Sequence, residues 1–234
     1  MKDEQMHTFF SPLRTELPHF PLSIHFLSIL CLILIAYAVQ LWSHKASFQK
    51  IWRNGMLFQL IVVYTWFIWA SLPLSELLPL YHCRMAMFIL LFCPKGQIKD
   101  YFALIGVVGS ILAMIYPAFY PYPLFHVTNL FFFTGHFGLF ALSLLHLKES
   151  QTLVQINAFW IAKVTIILNS LLILVNFLTG GNYGFLADTP ILHSQQPVFN
   201  LFLVSGVFIL LLTLTATAFQ KSLQASLVLS ADKD

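Results

Sequence analysis

A thiol, several imidazoles and a guanidinium fall within segments whose other residues are apolar. Cys83 stands between His82 and Arg84, while Asn129 and His136 lie seven residues apart in a later segment, with His126 at its mouth. That spacing puts Asn129 and His136 on one helical face, two turns apart. Cationic neighbours favour the nucleophilic thiolate form of a cysteine, so Cys83 is the candidate nucleophile. Adjacent helical residues diverge by about 100° and cannot all face one cavity. The activating base is therefore sought on another helix, where His136 is deep and shares its face with Asn129. Arg84 suits a phosphate. His82, His126, Asn129, Asn176, Asn182 and Tyr183 complete the candidate substrate-binding set.

An ionisable group inside a span costs roughly 2.5 to 3.5 kcal/mol, so such groups face a cavity or one another. Thr165, Asn169 and Asn176 follow helical spacing and form a polar stripe rising toward a loop with Asn182, Tyr183, Asp188 and His193. Two readings stay open: the stripe lines a cavity opening outward, or it joins helices by hydrogen bonds. His25 is read as structural or headgroup-facing, Cys31 and Cys93 as small apolar fillers, and Lys163 as snorkelling inward. Gly180-Gly181-Asn182 also suits a turn without any chemistry.

The elements that must position these groups are set by composition. Of 234 residues, 59% are hydrophobic and 9% charged, far from the quarter charged that soluble domains carry. The surface must face lipid. A helix needs roughly 20 apolar residues to cross about 30 Å of hydrocarbon, and the chain supplies such segments at 21–43, 55–73, 77–94, 101–119, 127–147, 156–178 and 197–219. They are apolar all round rather than alternating, which excludes a β-barrel. The third is short, opens near Pro79 and contains Arg84, so it is read as a full, tilted or re-entrant segment. The expected fold is a single all-α domain over 1–234, a polytopic integral membrane bundle of about seven transmembrane helices.

Orientation follows the Lys and Arg count, because cytoplasmic loops retain positive charge. Lys45, Lys50, Arg53, Lys95, Lys99, Lys148, Lys221 and Lys233 fall on one side, against Lys2 and Arg14 on the other. The N-terminal tail 1–20 is thus expected outside the cytoplasm and the C-terminal tail 220–234 inside it. The first apolar run is too long for a cleavable signal and reads as a signal anchor. A net charge of +3 spread thinly between spans implies no nucleic acid. Three cysteines without zinc-type spacing indicate neither a disulfide framework nor a metal site, and no cofactor is called for.

Taken together, Leu78-Pro79-Leu80-Tyr81-His82-Cys83, Gly135-His136 and Gly180-Gly181-Asn182-Tyr183-Gly184-Phe185-Leu186 resemble the YwaF family of bacterial integral membrane proteins. That family is related to the mammalian transmembrane acyltransferase that remodels ether phospholipids. The resemblance runs from about Pro21 to Leu210. Tyr81 stands where the family often has His, and Gly184 where it commonly has Met. The resemblance implies acyl transfer to a lysophospholipid through Cys83 and His136, with membrane lipids as partners and the plasma membrane as location. Two other classes are weighed: a small-solute or lipid permease using the same groups without chemistry, and a membrane subunit that docks a protein partner.

Overall fold

The structure is a computed structural model that describes residues 8–231, with side chains through Ala225. Lys2 and Lys233 of the charge count lie outside the described residues. Among these residues there are helices and no strands. The long helices are α1 (Leu22–Trp42), α2 (Ala46–Trp69), α3 (His82–Phe92), α4 (Gln97–Ile115), α5 (Val127–Glu149), α6 (Ala158–Thr179) and α7 (Pro197–Ala231). Five of them, α1 and α4 to α7, are long and apolar enough to cross a membrane.

Local chemistry explains the ends. Pro117 bars helix from the residue before it, so α4 closes at Ile115 and not at the expected 119. Asn157 caps α6 by accepting from the Trp160 N–H at 2.9 Å. Gly180 ends the same helix at φ 69°, a left-handed conformation that glycine adopts freely. Pro197 opens α7 at the first helical position, where a missing N–H is harmless. No proline follows it, so α7 runs through Lys221 to Ala231 where a tail was expected from 220. Its 35 residues reach about 52 Å, well beyond a hydrocarbon layer. Helix α2 starts at Ala46, upstream of the expected 55, because the turns carrying Lys50 and Arg53 are themselves helical.

The third segment differs most from expectation. A single turn at Leu74–Leu77 is followed by bent, non-helical residues that end in an extended Tyr81 and only then by α3, whose 11 residues span about 17 Å. Pro79 supplies no N–H and breaks the run there. Residues 77–94 are therefore not one helix.

Contacts group the chain into two compact units, one of Met1–Pro73 and Gly109–Leu142, the other of Leu74–Val108 and Ser143–Asp234. In the first, the Gln59 side chain of α2 donates to the Phe131 carbonyl of α5 at 3.1 Å, and His25 of α1 to the Met114 carbonyl of α4 at 3.2 Å. A Cβ on Gly138 would lie 2.9 Å from the end of Met56, so this glycine makes room for that side chain between α2 and α5. In the second, α6 packs along α7, and Leu172, Tyr183 and Leu186 form a buried cluster with Leu80, Met85 and Val204 against it.

Asp100, fully buried near the start of α4, ties down the far end of the second unit. One carboxylate oxygen accepts from His146 Nε2 and Ser150 Oγ, each at 2.7 Å, and the other from Thr152 Oγ1. Gln220 of α7 donates to the Leu153 and Ile156 carbonyls beside it, both at 2.8 Å. Asp100→Asn keeps the shape but removes the charge and turns one acceptor into a donor facing hydroxyl groups. It is expected to lower stability by about 1–3 kcal/mol, read as an earlier thermal unfolding midpoint in lipid nanodiscs.

Candidate functional site

Helix α3 begins without a side-chain cap, because Tyr81 occupies the capping position. First-turn N–H groups have no partner inside a helix. Here they belong to His82, Cys83 and Arg84, and the positive end of the helix dipole favours an anion beside them. Cys83 is a free, half-buried thiol on this turn. Arg84 donates to the Glu76 carbonyl at 2.9 Å and lies 5.3 Å over the Tyr81 ring, which holds the guanidinium at the same end.

His82 points the other way, into the protein. Its Nε2–H donates to Asn169 Oδ1 at 2.8 Å, and Asn169 Nδ2 donates in turn to Ser205 Oγ at 2.9 Å. The imidazole also packs on Phe208, with ring centroids 4.6 Å apart. His82 and Cys83 diverge as neighbours on a helix must. The stripe on α6 is closed in the same manner: Thr165 pairs with Tyr101 of α4 at 2.9 Å, and Asn169 with α3 and α7. Of the two open readings, helix joining is the one observed for these residues.

The loop after α6 folds back on its own backbone. Asn176 Oδ1 accepts the Tyr183 N–H at 2.7 Å and its Nδ2 donates to the Tyr183 carbonyl at 2.9 Å. Asn182 Oδ1 accepts from the N–H groups of Ala187 and Asp188, while its Nδ2 donates to the Asp188 carbonyl. The buried Tyr183 hydroxyl donates to the Leu74 carbonyl and accepts from the Leu78 N–H, which docks the loop against the broken segment before α3. Asn176, Asn182 and Tyr183 thus build the loop that supports α3.

The first unit holds the remaining candidates. His136 is half-buried on α5 and donates Nδ1–H to the Phe132 carbonyl at 2.7 Å. In the neutral ring this leaves the lone pair on Nε2, the form a general base requires. Ser110 Oγ donates to the His136 carbonyl at 3.0 Å. Asn129 donates to the Pro123 and Leu124 carbonyls, and its Oδ1 is buried without a protein donor. His126 is buried against Tyr122 and Trp66.

Cys83, Arg84 and His82 therefore share one turn of the second unit with the loop of Asn176, Asn182 and Tyr183, while His136, Asn129 and His126 share α5 in the first. Sequence reading passed over Asp100, His146 and Ser205. An acidic residue after Lys99 at a helix start was the available signal for Asp100, but its partners lie 46 to 52 residues away. No group of three or more His, Cys, Asp and Glu side chains suited to a metal occurs among the described residues.

The TMEM164 family model matches residues 9–220. No curated protein and no solved structure gives a significant match.

Proposed function

The chain belongs to the TMEM164 family of membrane proteins, and on that premise we propose that it is a phospholipid acyltransferase or transacylase of the plasma membrane. In this reading it crosses the bilayer seven times, with its N-terminus outside. The charge count supports the orientation, and the YwaF-like motifs around Cys83, His136 and Asn182 support the chemistry.

The observation that carries the reading is a free, half-buried thiol on an uncapped helix start beside an arginine. First-turn N–H groups are the donors that a tetrahedral oxyanion needs, and Arg84 is the partner that a lipid phosphate needs. A general base takes the thiol proton, the role that the YwaF-like motifs imply for His136, and Cys83 Sγ attacks the ester carbonyl of a donor lipid. The ester C–O bond breaks, the leaving oxygen takes the proton back, and a lysolipid departs. A hydroxyl of an acceptor lysolipid then attacks the thioester and gives its proton to the base, the C–S bond breaks, and the base returns the proton to restore the thiol.

The test uses the purified chain in nanodiscs with a phospholipid carrying a labelled acyl chain and an unlabelled lysophospholipid. Label should move to the acceptor and appear transiently on Cys83 as a hydroxylamine-sensitive adduct. Absence of both, together with passage of a lipid or solute across vesicles, replaces this reading with a permease.

A further inference from the structure

His126 caps α5, and the way it does so fixes its protonation state. Its Nδ1 accepts from the Thr128 hydroxyl at 2.9 Å and from the Thr128 N–H at 3.3 Å. Its Nε2–H donates to the Ser11 carbonyl at 3.0 Å. One nitrogen must carry a lone pair and the other a proton, so the ring is neutral here. The ring is buried, stacked on Tyr122 at 4.3 Å and edge-on to Trp66 at 5.2 Å.

Ser11 belongs to a segment that is held at several points through its backbone. Trp66 Nε1 donates to the Phe10 carbonyl at 3.1 Å, and the Thr15 N–H to the Pro121 carbonyl at 2.8 Å. Phe20 packs at a tilt on Phe119, with ring centroids 4.3 Å apart. Between these anchors Leu13 and Leu17 are exposed. A segment with few buried apolar contacts sits at the low end of local stability, and the His126 bond is one of its attachments.

We propose that residues 8–20 form a strap that His126 latches across the start of α5, and that acid releases it. Protonation at Nδ1 replaces an acceptor with a donor facing the Thr128 N–H, forces the Thr128 hydroxyl to turn from donor to acceptor, and puts a cation at the positive end of the α5 dipole. Burial holds the imidazole below its ordinary range, against the smaller opposing effect of the Ser11 bond. The released ring titrates near 6.5, so the strapped form binds fewer protons. Attachment is complete above that value and weakens as pH falls below it, by up to about tenfold per pH unit. The titratable group facing the ring is the Tyr122 phenol; Trp66 on α2 and Thr128 on α5 carry no charge. Arg14, Glu16 and His19 follow on the strap itself.

Hydrogen exchange on the full chain in nanodiscs tests this, using peptides covering residues 10–20 and correcting for intrinsic exchange. Exchange of the strap should rise up to about tenfold per pH unit below 6.5 in the wild type while α6 stays protected. His126→Gln, whose amide accepts and donates without titrating, should abolish that dependence. Thr128→Val, which deletes one bond to Nδ1, should move release to higher pH and serves where the Gln variant does not fold. Strap exchange that is flat from pH 7.5 to 5.5 overturns the proposal. So does an equal response in His126→Gln.

Discussion

Serine in place of Cys83 is expected to lower acyl transfer at least a hundredfold, on the order of the loss typical for a covalent nucleophile. The hydroxyl occupies the same half-buried place on the first turn of α3 but is a far weaker nucleophile. Loss of the hydroxylamine-sensitive adduct should accompany it. His136→Gln keeps a donor for the Phe132 carbonyl and removes the imidazole proposed as the base, so a fall of roughly 10² to 10⁴ is expected with protein yield preserved. Cys31→Ser and Cys93→Ser serve as controls and should leave the rate unchanged. Full transfer by the Cys83→Ser protein would end the nucleophile scheme whatever the other variants did.

Valine at position 184 should be the most damaging single change to the second unit. Gly184 has φ 69°, which a β-branched residue adopts only under strain. A Cβ there would lie 2.8 Å from Cε1 of His82 and 3.1 Å from Leu172. His82 cannot yield easily, because Asn169 and Ser205 hold it on one side and Phe208 on the other. Strain and overpacking together amount to about 4 kcal/mol. Loss of folded protein on size-exclusion in detergent, or a large drop in unfolding midpoint, should follow. Gly184→Ala in a His82→Ala background separates the two causes: the clash with the ring disappears and the backbone strain stays. A Gly184→Val protein as stable as wild type would mean that the loop does not press on the imidazole.

Both results depend on the same piece of architecture. The resemblance-bearing words around Cys83 and Asn182 meet in one unit, where Tyr183 docks the loop onto the broken segment whose extended end leads into α3. The Asn-Tyr words expected as substrate contacts also bond the loop to its own backbone and to the segment before α3, and the thiol's helix start adjoins them.

Hydropathy and the turn-forming residues were enough to establish a membrane chain of helices and many of their limits. Pro117, Asn157, Gly180 and Pro197 act on the residues next to them, so their effects can be read along the chain. Pairing is different. Thr165 finds Tyr101 across 64 residues, His82 finds Asn169 across 87, and His126 finds Ser11 across 115. A buried amide or imidazole states in advance that it needs a partner, since an unmet polar group in an apolar interior is costly. Which carbonyl or hydroxyl fulfils that need depends on how helices far apart in sequence pack. That is why the stripe on α6, the Asp100 cluster and the neutral state of His126 were settled by the tertiary structure and not by the order of residues.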